Sequence, residues 1–262
     1  MAAPPEGTPC WVDAMFPDME AAKSFYGELL GWTFGESAPE YGDYTQAYSD
    51  SKAVAAVSPQ IPGMVGPPAW NLYFSVPDAA AAAAKIRDKG GTLTSEPMKV
   101  GEFGTMVTAR DPGGLHFSAW QADTHEGFEK TGEPGSYAWA EVTTRDAEKA
   151  DAFYPAVFPF EVKKMSHEEI DFRLWSIQGE PVAGRMNMND FFPAEAQPYI
   201  NVYFAVPDCD AAVATVTGLG GQVRLGPADS PFGRSAQVTD QQGAAFSVID
   251  LRNTKGEMPA FT

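Results

Sequence analysis

The sequence predicts an α+β chain of two tandem domains. Four βαβββ units would form two curved half-barrel sheets with helices outside. Three observations carry this: a repeat at half length, an aspartate ahead of each of four helical runs, and short strand-like runs after each helix. The repeat is explicit. Cys10-Trp11-Val12-Asp13 and Ala22-Lys23-Ser24-Phe25-Tyr26 return 128 residues later as Ala138-Trp139-Ala140-Glu141 and Ala150-Asp151-Ala152-Phe153-Tyr154. Residues 70–78 return as 200–208, Gly90-Gly91 as Gly220-Gly221, and Asp111-Pro112-Gly113-Gly114 as Asp240-Gln241-Gln242-Gly243.

The elements follow in order. Residues 11–16 alternate as a strand, and Asp18 stands at an N-cap. Ala22, Phe25, Tyr26, Leu29 and Leu30 then recur at helical spacing until Gly31 stops the helix. Residues 44–48 and 53–57 read as strands, and 59–68 as a Pro/Gly loop. Residues 71–76 open the second unit. Asp78 caps an alanine-rich helix that Gly90-Gly91 ends, and strands are expected over 92–93, 105–109 and 115–120. In the second half Asp146 and Asp208 cap the helices, with Pro155 expected to cut or kink the first of them. The domains are thus expected over 8–122 and 136–250. Residues 123–135 would form a polar, glycine-bearing linker, and the tail after Leu251 would be peripheral.

Composition narrows the function classes. The chain has 262 residues, a hydrophobic fraction of 44% and a net charge of −17. Such a charge disfavours nucleic-acid phosphates and anionic membranes and suits cationic ligands. No apolar stretch is long enough to span a membrane. Residues 1–7 lack the features of a signal peptide. Cys10 and Cys209 are the only cysteines and are expected to be buried, reduced thiols of a cytoplasmic protein.

The pattern resembles the vicinal oxygen chelate superfamily, which includes glyoxalase I, bleomycin-resistance proteins and extradiol dioxygenases. Phe25-Tyr26 before Leu29-Leu30-Gly31-Trp32, Val76-Pro77-Asp78 and Asp111-Pro112-Gly113-Gly114 carry the resemblance, with their counterparts in the second half. It implies two tandem glyoxalase-like domains. The opening residues 7–13 resemble a two-domain bacterial branch labelled glyoxalase-like or "hydroxylase".

The resemblance also implies where metal ligands would stand. One is on the first strand, where this chain has Trp11 and Trp139. A second follows the mid-domain loop, at Asn71 and Asn201, and a third is on the last strand, at Ser118 and Ser247. The remaining ligand would fall within 53–57 or 182–186, where no His or carboxylate occurs. Indole has no lone pair to give, and amide and hydroxyl oxygens are poor replacements for imidazole and carboxylate. No metal and no cofactor are therefore expected.

Period-two alternation names the neighbours on the same face: Asp13 with Trp11, Glu141 with Trp139, Tyr73 with Asn71, Tyr203 with Asn201, and His116 and Trp120 with Ser118. Such a cleft suits a flat, partly polar ligand; the same residues could instead fill a closed core. Two functions follow. One is metal-independent binding of a small aromatic or cationic organic molecule, of the bleomycin-resistance type, through Trp11, Asn71, Ser118, Trp120, Trp139, Glu141, Asn201, Tyr203 and Ser247. The other is a glyoxalase-like lyase or a hydroxylase/oxygenase in which His116 and Asp13 form an acid–base pair beside Tyr73. His116 is expected to be the only histidine inside a cleft, so any chemistry would belong to the first domain. A structural or protein-interaction role is the third possibility. The expected partner is a small organic molecule, and the expected assembly a monomer or homodimer.

Overall fold

The protein is described from a computed structural model covering residues 3–64, 66–189, 192 and 196–262. The loop expected over 59–68 is described except for residue 65. The first half contains strands β1 (Pro9–Phe16), β2 (Thr33–Phe34), β3 (Thr45–Ser49), β4 (Lys52–Pro59), β5 (Trp70–Ser75), β6 (Thr92–Val100), β7 (Gly104–Arg110) and β8 (His116–Ala122), with helices α1 (Met19–Leu30) and α2 (Ala79–Asp88). The second half contains β9 (Tyr137–Thr144), β10 (Glu161–Lys164), β11 (Phe172–Ile177), β12 (Glu180–Asn187), β13 (Tyr199–Ala205), β14 (Gln222–Ala228), β15 (Arg234–Thr239) and β16 (Ala245–Asp250), with α3 (Ala147–Val157) and α4 (Cys209–Gly218). Each half makes one eight-stranded sheet, in the order β2-β3-β4-β1-β5-β8-β7-β6 and its counterpart β10-β11-β12-β9-β13-β16-β15-β14. These are two tandem domains of two βαβββ units each.

Local chemistry explains the element ends. Asp18, Asp78, Asp146 and Asp208 each accept a backbone N–H from the first turn of a helix. Gly31 closes α1 in the left-handed conformation, with φ 70°. The two Gly-Gly pairs do two jobs. Gly90 and Gly220 take positive φ, whereas a Cβ on Gly91 would stand 2.8 Å from Ile86 and 3.0 Å from the Arg110 carbonyl. Pro155 does not cut its helix. It sits two residues from the end of α3, so little helix remains beyond it to disturb.

Each sheet has a helix-bearing face and a concave face, hereafter the cup. On β1, Val12, Ala14 and Phe16 point to the helices, while Trp11 joins a separate, smaller apolar cluster on the cup side. The helix-bearing faces of the two domains share one core. Phe25 and Tyr26 of α1 pack on Phe246 of β16, and Phe153 and Tyr154 of α3 pack on Phe117 of β8. Trp32 and Trp70 meet Phe204 at 5.3 and 5.0 Å.

Two reciprocal hydrogen bonds cross this shared core. The Tyr26 hydroxyl donates to Asp240 Oδ2 at 3.1 Å, and the Tyr154 hydroxyl to Asp111 Oδ2 at 3.2 Å. The other oxygen of each aspartate holds its own turn. Asp111 Oδ1 accepts from the N–H groups of Gly113 and Leu115, and Asp240 Oδ1 from those of Gln242 and Ala244. The repeated Phe-Tyr and Asp motifs are thus the two halves of one inter-domain tie.

Two polar segments are held by specific contacts. In the linker the Phe128 N–H donates to the Cys10 carbonyl, Glu129 bridges Ala53 in both directions, and the buried Lys130 ammonium reaches Ser49, Asp50 and the Pro134 carbonyl. The tail stays at the surface, and its end is paired. Met165 bridges Phe261, and Lys164 and Thr262 exchange backbone hydrogen bonds, so the chain end extends the sheet beyond β10. Both cysteines are free and buried. Among the described residues, no helix is long and apolar enough to cross a membrane.

Removing either tyrosine hydroxyl strips a buried carboxylate oxygen of its donor. Tyr26→Phe and Tyr154→Phe should each lower unfolding free energy by about 1–3 kcal/mol in urea titrations. Unchanged midpoints would show that the ties do not hold the domains together.

Candidate functional site in the second cup

Strand register assembles both cups in the same way. Asp13 lies across from Asn71, Trp11 from Tyr73, and Tyr73 from Ser118. In the second domain Glu141 lies across from Asn201, Trp139 from Tyr203, and Tyr203 from Ser247. Alternation therefore brings together the residues it named, in two sets.

The first cup is a closed polar network. Tyr73 and Tyr44 donate to Asp13 Oδ2 at 2.7 and 3.2 Å, and Asn71 Nδ2 donates to Asp13 Oδ1 at 3.2 Å. Trp11 Nε1 donates to the Tyr44 hydroxyl at 2.8 Å, and Asn71 exchanges hydrogen bonds with Ser118. The linker covers this network. His125 stands edge-on to Trp11 at 4.5 Å, Phe128 packs on the same indole at 5.6 Å, and Trp120 Nε1 donates to the His125 carbonyl. Trp11, Asp13 and Tyr73 are all buried, Asp13 being only 7% exposed.

The proposed acid–base pair does not form there. His116 stands across from Arg110 at the start of β8, half-buried, while the hydrogen bonds of Asp13 go to Tyr44, Tyr73 and Asn71. Burial and Arg110 hold the His116 imidazole below its ordinary pKa. His116 is also not the cleft's histidine. That place belongs to His125, whose ring packs on Trp11 and Trp120 and whose pKa burial lowers. Alternation along a strand cannot reveal a residue delivered by the linker, nor that Tyr44, in the strand expected over 44–48 and bridged to Ala38 just before β3, reaches across β4 to Asp13.

The second cup is incomplete. Trp139, Glu141 and Tyr203 are half-buried where their counterparts in the first cup are buried. Tyr203 donates to Glu141 Oε2 at 3.1 Å, and Ser247 donates to Asn201 Oδ1 at 3.0 Å. Asn201 Nδ2, in a side chain only 1% exposed, makes no close hydrogen bond and faces the Glu141 carboxyl across the strand pair. Beside this cup lies a half-open cavity of about 350 Å³, lined by Trp139, Tyr137, Phe128, Thr8, Pro9 and Pro181 among others. Phe128 and Tyr137 stack at 4.8 Å. The Tyr137 hydroxyl is also buried without a partner. Tyr137 precedes the strand bulge before Trp139, so the alternation that found Glu141 does not extend to it.

Comparison with known proteins decides the family. Residues 11–118 match the model of the Glyoxalase/Bleomycin resistance protein/Dioxygenase superfamily. The chain is 38% identical over 260 residues to "Anthracycline biosynthesis protein DnrV" of Streptomyces peucetius, covering 94% of each chain. The chain belongs to this superfamily. It is also 37% identical over 256 residues to "Putative glyoxylase CFP32" of Mycobacterium bovis, covering 93% of this chain and 95% of that one. The crystal structure of a Mn(II)-bound glyoxalase from Novosphingobium aromaticivorans aligns with a TM-score of 0.64 at 14% identity, over 96% of this chain and 87% of that one. This last likeness is one of fold.

The superfamily's metal-dependent members raise the question of whether a metal fits here. It does not fit these side chains. Among the described residues, no group of three or more His, Cys, Asp or Glu is placed to hold an ion. The cups present indole, amide and hydroxyl at the positions concerned, and their single carboxylates, Asp13 and Glu141, are engaged by tyrosines.

The carboxylates differ in electrostatics as well. Burial raises Asp13, while hydrogen bonds from Tyr73, Asn71 and Tyr44 oppose the rise. Burial pushes the Glu141 carboxyl from 4.5 up to about 7, against the hydrogen bonds of Tyr203, Trp139 and Asn201. The folded state therefore holds this proton over a range where the unfolded chain has lost it. The stability Glu141 contributes is full below about pH 4.5 and is lost as pH rises through 7. Glu141→Gln should thus gain stability over the native chain with rising pH, approaching about 3 kcal/mol above pH 8. A gain independent of pH, in denaturation series from pH 5 to 8.5, would contradict the assignment.

Proposed function

We propose that the chain binds a small planar aromatic molecule in the cup of its second domain, held by stacking and hydrogen bonds rather than through a metal. The observation that carries this reading is the contrast between the cups. The first satisfies its own polar groups and is covered by His125 and Phe128. The second leaves Trp139 and Glu141 half-buried, and the Tyr137 hydroxyl of the adjoining cavity is buried without a partner. Buried polar atoms without partners are rare and mark places where another molecule can supply the bond.

Shape and kinship support the same reading. The cavity volume lies at the lower end of the range for small-molecule sites, and its walls are mostly apolar and aromatic. A relative that spans nearly the whole chain is named for anthracycline biosynthesis. The charge of −17 still leaves a cationic member of this ligand class admissible.

A catalytic reading has its own anchor. A carboxyl that titrates near pH 7 beside a ligand cavity suits a general base, and one relative is named as a glyoxylase. Under that reading a lyase or hydroxylase/oxygenase activity would depend on Glu141 rather than on His116 with Asp13.

Tryptophan emission during titration with neutral and cationic two- to four-ring aromatics tests the binding reading. Trp139→Ala should weaken binding tenfold or more, while Trp11→Ala should lower stability and leave affinity within about twofold. Loss of binding in Trp11→Ala with retention in Trp139→Ala would place the ligand in the first cup and overturn the reading.

A further inference from the structure

The two copies anchor the segment after their last strand in the same way and then part. The His125 N–H donates to the Phe103 carbonyl in the turn after β6, and the Lys255 N–H to the Ser230 carbonyl in the turn after β14. Counted from these anchors, Met258 stands where Phe128 stands, and Pro259 where Glu129 stands. Glu129 docks the linker on β4. Its N–H donates to the Ala53 carbonyl at 2.9 Å, and its Oε2 accepts from the Ala53 N–H at 2.7 Å. The neighbouring Phe128 is thereby set on the Trp11 indole.

Neither bond can form in the second copy. Asp13 lies across from Ala56 and Glu141 from Gly184, so the register equates Ala53 with Pro181. Proline has no N–H. Pro181 therefore has nothing to donate to the tail, and Pro259 has nothing to donate to the Pro181 carbonyl. The tail runs to β10 instead. Lys164 and Thr262 exchange backbone hydrogen bonds, the Ser166 N–H donates to the Ala260 carbonyl, and Met258 is left 63% exposed. Pro181 itself lines the cavity beside Trp139.

We propose that Pro181 and Pro259 are positioning residues that keep the tail off the second cup, and that the ligand's ring takes the place on Trp139 that Phe128 takes on Trp11. The inference rests on the aromatic-binding reading above and says where in the cup the ring lies. The first cup shows the pose. The Phe128 ring is tilted by 37° to the Trp11 indole, with ring centroids 5.6 Å apart. There the chain covers its own indole, whereas the prolines leave the second indole to a ring from outside. Restoring both backbone bonds should favour a docked tail by about tenfold.

The test gives the second copy, in the whole chain, what the first copy has. In Pro181→Ala/Pro259→Glu the tail should leave β10 and dock on β12. Amide hydrogen exchange at Lys164 and Thr262 should then accelerate, and affinity for two- to four-ring aromatics should fall about tenfold. Each single variant restores at most one bond and should fall short of both changes. Ala53→Pro makes the reverse change in the first copy and needs no ligand: exchange of the Phe128 and Glu129 amides should accelerate about tenfold. Unchanged exchange at Lys164 and Thr262 in a folded double variant, or at Phe128 and Glu129 in Ala53→Pro, would overturn the inference while leaving aromatic binding intact. A docked tail with undiminished affinity would overturn the placement of the ring on Trp139. Saturable binding of no aromatic by wild type would overturn the reading and the ring placement with it, and exchange alone would then decide the role of the prolines.

Discussion

The tyrosine–aspartate tie between domains is the constraint on which the rest of the molecule depends. Tyr26 and Tyr154 each leave a helix of one domain to reach a turn aspartate of the other. Each aspartate spends its second oxygen on its own turn, so one carboxylate fixes both the end of a strand pair and the docking of the neighbouring domain. Burial raises the pKa of both carboxyls, and the turn N–H groups and the tyrosine lower it again. With the helix-bearing faces locked together in one aromatic core, the concave faces are the surfaces left to differ.

They differ because the segments that follow the two last strands do different things. After β8, the chain folds over the first cup and sets His125 and Phe128 on Trp11. After β16, the chain instead runs to the sheet edge and pairs beyond β10. The polar interiors diverge in parallel. Asp13, with two tyrosines and an amide, makes a closed set, whereas Glu141 carries one more methylene and has no counterpart of Tyr44 among its hydrogen bonds. A duplicated fold thus gives one filled cup and one whose Trp139, Glu141 and Tyr203 stay half-buried. This follows the general separation of fold from site, in which the scaffold is shared and the chemistry is local.

Much of this was legible in the sequence. Four aspartate caps, the Gly-Gly stops and period-two alternation give the elements, their order and which side chains share a face. Alternation puts Asp13 on the face of Trp11 and Tyr73 on that of Asn71, whereas the pairing of Asp13 with Asn71 and of Glu141 with Asn201 comes from the strand register. The balance between the cups was not legible, and the sequence favoured the first because it holds His116. Which cup is covered depends on where the linker packs, a long-range contact with no periodic signature. His125 arrives from outside the strands that alternation describes, Tyr44 reaches Asp13 from two strands away, and Tyr137 sits before a bulge that resets the period. Conversely, the Tyr26 and Asp240 motifs were visible as repeats, but their contact across 214 residues of chain was not.

The central claim is that the second cup, and not the first, receives the ligand. It is tested most directly by following the indole N–H resonances of the six tryptophans in ¹⁵N-labelled protein during titration with the two- to four-ring aromatics. Each resonance can be assigned by a single Trp→Phe substitution. Saturable displacement of the Trp139 resonance, with Trp11 and Trp120 unmoved, is the predicted result. Displacement of Trp11 and Trp120 with Trp139 unmoved would contradict it, because the ligand would then have opened the cup that His125 and Phe128 cover.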